Sequence, residues 1–134
     1  MRNNGATLNA QLSRVISEMG HTEKIVVTDA GLPIPAGVER VDLALRAGTP
    51  GFLDVLDTVL AELAVEGAIA SEEIAQASPD LLAALEDRLI SRGVMLQLIP
   101  HEEFKKRTVG SRAAVRSGEF TSYANVILIA GVAY

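Results

Sequence analysis

The sequence of 134 residues contains no cysteine. Disulfides, thiolate zinc sites, iron–sulfur clusters and cysteine nucleophiles are therefore excluded. It contains no tryptophan either, and aromatic residues make up only 4% of it, so a stacking platform for single-stranded nucleic acid is missing. Basic residues are outnumbered, 12 Lys and Arg against 17 Asp and Glu, for a formal charge of −5. Such a chain is a poor electrostatic partner for nucleic acid or anionic lipid. The longest uncharged stretch, Phe120–Tyr134, has fifteen residues and includes Asn125, too short to span a bilayer. The N-terminal MRNNGATLNA lacks the apolar segment of a secretory leader. Absent too are GxGxxG and Walker-type nucleotide loops, the HExxH zinc motif and the GxSxG elbow of serine hydrolases. A metal would have to be held by His21, His101 and Asp29, whose spacing matches no short ligand motif, so no metal is expected. On these grounds a cytoplasmic chain is expected, with neither nucleic acid nor membrane as partner.

What is present is a globular composition, 49% hydrophobic and 22% charged, on a chain long enough for one domain over residues 1–134. Leu8, Leu12, Val15, Ile16 and Met19 recur at helical spacing, which predicts a helix over 8–19 with Thr7 as N-cap and Gly20 as terminator. The run Lys24–Thr28 predicts a buried strand. It ends in Asp29-Ala30-Gly31-Leu32-Pro33-Ile34-Pro35, a loop stiffened by two prolines. Val38–Leu45 reads as a second strand. Thr49-Pro50 then opens a helix whose core stripe is Phe52, Val55, Leu56, Val59, Leu60 and Leu63.

Val65–Ala70 predicts a strand. Ser78-Pro79-Asp80 opens a helix with Leu81, Leu82, Leu85, Leu89 and Ile90 inward and Gly93 as its stop. Val94–Ile99, His101–Arg107 and Val126–Ala130 read as strand, short helix and strand. Strands alternating with helices predict an α/β fold, a three-layer α/β/α sandwich on a largely parallel or mixed sheet. In such sheets ligands bind beyond the carboxyl ends of strands, which directs attention to Asp29 and His101.

The candidate residues each admit a plain role and a chemical one. His21 lies between a helix-ending glycine and a strand; it is a loop residue or a general acid–base group, since its ordinary pKa of about 6.5 permits either protonation state at neutral pH. Asp29 either forms a turn with its own backbone, or is a carboxylate that binds a sugar-like hydroxyl or orients a histidine. His101 and Lys105, four apart, share a face of the expected short helix. Five basic residues between Lys105 and Arg116 form a solvated face or hold an anion. If the stretch before the last strand is extended, Tyr123 and Asn125 share a face and suit a neutral polyhydroxyl ligand.

Taken together, these segments resemble the family of RbsD-type D-ribose pyranases and L-fucose mutarotases. The likeness rests on Gly20-His21-Thr22, Asp29 to Pro35, Glu72-Glu73-Ile74, His101-Glu102-Glu103-Phe104-Lys105, Arg116-Ser117-Gly118-Glu119 and Tyr123-Ala124-Asn125, six segments in order along the chain. The Gly-Leu-Pro-Ile-Pro segment resembles the ribose branch. The resemblance implies a catalytic histidine at His21 and sugar contacts from Asp29, His101, Lys105, Tyr123 and Asn125. It implies interconversion of the β-pyranose and β-furanose forms of D-ribose, no metal or organic cofactor, and a homo-oligomer, commonly a decamer of two pentameric rings. A fucose-type mutarotase and a non-catalytic sugar-binding oligomer are the alternatives. The apolar end Gly131-Val132-Ala133-Tyr134 exceeds what the last strand needs and is expected to pack at a subunit interface, with the functional site nearby.

Overall fold

The β-branched runs of the sequence become the centre of one sheet. The computed structural model describes residues 1–4 and 6–134. Its six strands are β1 (Lys24–Thr28), β2 (Glu39–Asp42), β3 (Val65–Ser71), β4 (Leu96–Ile99), β5 (Ala113–Arg116) and β6 (Val126–Ala130). They lie in the order β2-β5-β1-β6-β3-β4. β6 runs antiparallel to both its neighbours, β1 and β3, while every other pairing is parallel. Five strands therefore point one way and β6 opposes them, which bears out the mixed α/β sheet.

Continuous apolar strands need cover on both faces, and the pleat divides their side chains between the two. On one face Ile25, Val27, Val126 and Leu128 pack under three helices. These are α1 (Ala10–Glu18), α2 (Phe52–Glu62) and α4 (Pro79–Ile90). The expected α2 stripe is buried from Phe52 to Leu60, with Leu63 packed at its margin. On the other face Val26, Ile69, Ala114 and Ile127 meet Leu32 and Val38 of the proline loop and Phe104 of α5 (His101–Arg107). Burial of this kind contributes roughly 25 cal/mol per Å² of apolar surface.

Several boundaries differ from expectation. Asn9, not Thr7, caps α1: its Oδ1 accepts the Leu12 N–H at 2.8 Å, leaving Leu8 exposed outside the helix. Left-handed backbone falls at Thr22 (φ 71°) rather than Gly20. α2 begins after Gly51 rather than at Pro50, because the Phe52 N–H is capped at 3.1 Å by Glu119, a residue remote in sequence. β2 is confined to Glu39–Asp42, and β4 starts at Leu96. Ile90 is 70% exposed; only Leu85 and Leu89 of α4 are fully buried. Gly93 does terminate that helix, with φ 70°. Two elements were not expected, α3 (Ile74–Ala77) and β5. β5 looks like a basic turn in isolation, and it is a strand because β1 and β2 flank it with parallel partners.

Candidate functional site

The carboxyl ends of β1, β4 and β5 meet at one cavity of about 560 Å³, within the usual range for a small-molecule site. Asp29 follows β1, Ser71 ends β3, His101 follows β4 and Arg116 ends β5. Asp29, His101, Lys105 and Tyr123 all line the cavity, with Arg116 and Glu119 beside them.

Asp29 forms the expected turn and is also held from behind by Asn125. Its Oδ1 accepts the N–H groups of Gly31 (2.9 Å) and Leu32 (2.8 Å), which sets the loop. Its Oδ2 accepts one proton from Asn125 Nδ2 at 3.0 Å, and its own N–H donates to Asn125 Oδ1 at 2.9 Å. By lone-pair count Oδ2 retains one acceptor position. Asn125 is fully buried and committed to Asp29, so it does not form the cavity wall with Tyr123. The segment is not extended: Tyr123 is left-handed (φ 64°), and the Asn125 N–H turns back to the Tyr123 carbonyl at 2.8 Å. The face shared by alternate residues of a strand is therefore lost.

α5 forms as the sequence predicts and puts His101 and Lys105 on one face. Glu73 holds its first N–H: both carboxylate oxygens accept from His101 N, at 3.0 and 3.1 Å. The His101 ring stacks on Phe104 at 6.0 Å and meets the Tyr123 ring edge-on at 5.0 Å. Its Nδ1 lies 2.7 Å from Ser71 Oγ. Lys105 Nζ pairs with Glu102 Oε1 at 2.8 Å, and that bond holds the exposed Glu102 carboxyl below the ordinary carboxylate range.

Arg116-Ser117-Gly118-Glu119 forms the opposite wall. Arg116 Nε donates to the Ala30 carbonyl at 3.0 Å, and its Nη1 pairs with Asp42 at 3.1 Å, so it ties the proline loop to β2. Ser117 Oγ donates to the Thr28 carbonyl at 2.6 Å. Glu119 accepts from the Phe52 N–H at 3.1 Å and from the Thr121 hydroxyl at 2.9 Å. Burial alone pushes the Glu119 pKa up, but the bonds from Phe52, Thr121 and Phe120 together outweigh it and hold the group below its usual value.

His21 lies elsewhere. It precedes β1 whereas Asp29 follows it, and five strand residues alone span roughly 16 Å. At that far end His21 Nε2 is 2.8 Å from Glu66 Oε2. A register shift between Val65 and Gly67 and the left-handed Thr22 shape this corner. Both partners are about half exposed, at 52% and 43%. The structure thus gathers Asp29, His101, Lys105 and Tyr123 into one cavity, sets Asn125 behind Asp29, and leaves His21 at the other end. Ser71 and Glu66 carried no sequence signal. Arg116 was expected only as part of a basic face, and it is spent on Ala30 and Asp42; Glu119 carried no expected task.

Among the described residues no group of three or more His, Asp or Glu side chains is placed to hold a metal ion. No helix among them is long and apolar enough to cross a membrane.

The sequence pattern of the RbsD / FucU transport protein family matches residues 2–133. A D-ribose pyranase of Laribacter hongkongensis is 52% identical over 134 residues, covering 100% of both chains. One of Aeromonas salmonicida is 52% identical, covering 97% of this chain and 98% of its own. The structure of Bacillus subtilis RbsD complexed with D-ribose superimposes with a TM-score of 0.94 at 41% identity, over 99% of this chain and 100% of that one. A fucose mutarotase from Streptococcus pneumoniae, in complex with L-fucose, reaches 0.78 at 22% identity over 95% of each chain, a likeness of fold alone.

Proposed function

Since this chain belongs to the RbsD / FucU transport protein family, we propose that it is a D-ribose pyranase, an isomerase that interconverts the pyranose and furanose forms of free D-ribose. The observation that carries the reading is the cavity at the carboxyl strand ends, where an aspartate, a histidine, a lysine and a tyrosine face one space. The likeness to relatives of that name and to a ribose-bound structure supports it.

A cyclic ribose is a hemiacetal. Opening it takes a proton delivered to the ring oxygen and one withdrawn from the anomeric hydroxyl. Closure through the 4-hydroxyl instead of the 5-hydroxyl then exchanges pyranose for furanose. Only protons on oxygen move, so the reading needs no metal and no organic cofactor. One positioned acid–base group contributes roughly 10²–10⁴-fold, and holding the open chain in few conformers adds to this. Asp29, His101, Lys105 and Tyr123 bind the hydroxyls, each bond to a neutral sugar giving on the order of 1 kcal/mol. Asn125 acts behind them by orienting Asp29.

His21 is the acid–base group, with Glu66 holding its Nε2. Because it sits across the sheet from its own cavity, the His21 of one copy serves the cavity of another. A closed homo-oligomer, taken as a decamer of two pentameric rings, supplies that arrangement, and the cytoplasm is the proposed location. Exposed Phe120 at the cavity rim, and exposed Val132 and Tyr134 beyond the end of β6, where the Ala130 carbonyl accepts from the Thr22 N–H, are the surfaces that support such contacts. Saturation-transfer NMR on equilibrated ribose tests the function: exchange between ring forms accelerates with the protein present. Acceleration with fucose but not with ribose would reassign the substrate, and none with either sugar would make the chain a binding module.

A further inference from the structure

We propose that Ser71 is a positioning residue that fixes the tautomer of His101, and thereby makes His101 a hydrogen-bond donor toward the cavity. Ser71 ends β3 and is fully buried. Its Oγ lies 2.7 Å from His101 Nδ1, and its side chain makes no other hydrogen bond among the described residues. A hydroxyl carries one proton and two lone pairs, and a neutral imidazole carries its proton on one nitrogen or the other. If Nδ1 held that proton, Ser71 would accept it and strand its own proton in a dry site. Leaving a buried donor unmade outweighs what an ordinary bond returns. If Ser71 donates, Nδ1 accepts, the ring proton sits on Nε2, and nothing is stranded.

The ring cannot readily escape this choice by turning over. Glu73 takes the His101 backbone N–H with both oxygens, Phe104 stacks on one face of the ring, and Tyr123 abuts it edge-on. With Nδ1 held to the end of β3, Nε2 is the nitrogen left for a ligand in the cavity that His101 lines. His101 thus offers a donor while Asp29 offers its remaining acceptor position. The two read a sugar's hydroxyls in opposite senses, one by its oxygen and the other by its proton. The hydrogen bond made by one ring nitrogen of a histidine commonly sets which nitrogen is protonated; here the partner is a serine.

The consequence for the sugar rests on the ribose reading above, but the tautomer does not, and the experiment separates them. Nitrogen-15 NMR of the ring-labelled protein without ligand, in alkaline buffer, is expected to show Nε2 protonated and Nδ1 as acceptor. Ser71→Ala should lose that preference and weaken ribose binding on the order of tenfold. Ser71→Thr keeps the hydroxyl and should keep both the tautomer and the affinity. A proton on Nδ1 in the wild type, or an unchanged tautomer in Ser71→Ala, overturns the proposal. If Ser71→Thr does not fold, the wild-type spectrum still decides. A protein with the expected tautomer that ignores ribose upholds the role of Ser71 and refutes the ribose reading.

Discussion

Asn125 shows how one residue can serve a site it does not line. Its amide answers Asp29 twice, taking the backbone N–H and giving a proton to the carboxylate, at 2.9 and 3.0 Å. Being fully buried, it has no water to fall back on. Asn125→Asp would set a second carboxylate where a donor stood, and two carboxylates at that distance cannot both stay ionised. Ribose affinity at neutral pH should fall by about tenfold or more, and part of it should return as the pH is lowered and the pair shares a proton. Calorimetric titration at two pH values checks this; unchanged affinity at neutral pH would mean that Asp29 needs no such partner.

At the scale of elements, the turn between β5 and β6 binds the cavity wall to the rest of the sheet. Gly118 is needed there for space: a Cβ would lie 2.4 Å from the Thr49 carbonyl oxygen and 2.5 Å from that of Arg46. Those atoms are backbone and cannot swing aside. Gly118→Ala should therefore destabilise the fold by at least about 1–3 kcal/mol, read as a lower midpoint in chemical denaturation. Glu119 joins the same turn to the start of α2. Its pKa is lowered in the fold, so its stabilisation is fully present above the unfolded carboxyl value of about 4.3. It is lost as pH falls from there through the lower folded value. Denaturation midpoints of the wild type and Glu119→Gln should differ at neutral pH and converge in acid. Curves that stay parallel would remove Glu119 as an anchor of that wall.

For the whole molecule, the direction of β6 matters most. Because β6 opposes its neighbours, its start holds Asn125 at the cavity and its end brings Ala130 to Thr22, beside His21. The exposed Val132 and Tyr134 follow at that same far end. The tail cannot steady the cavity of its own chain, and the proposal gives it the task of docking His21 against a neighbour. His21→Ala should fold and assemble, since a half-exposed side chain contributes little to stability, but lose most ring exchange. Reassembled with Asp29→Asn subunits, also inactive, it should regain activity, about a quarter of sites carrying both intact halves after random mixing. No recovery would confine each site to one chain. Deleting Val132–Tyr134 should reduce both the mass by light scattering and the exchange rate; native mass, or full activity in a monomer, would uncouple assembly from catalysis.

Strong local signals were readable in the amino-acid order, though not every cap and boundary was. The α2 stripe, the runs of β1 and β6, the span of α5 and the stop at Gly93 each depend on neighbours a few residues away, so periodicity and one turn residue suffice to determine them. The same order marked Asp29 and His101 as residues just past strand ends, where ligands gather in parallel sheets. Tertiary structure decided the rest, because pairing between distant segments sets strand direction and supplies remote partners. It made a strand of Ala113–Arg116 by flanking it, capped α2 from Glu119, and turned Asn125 from the cavity onto Asp29. It also brought Ser71 to His101. A one-dimensional pattern records how often a residue meets the core; it carries no record of which far residue waits there.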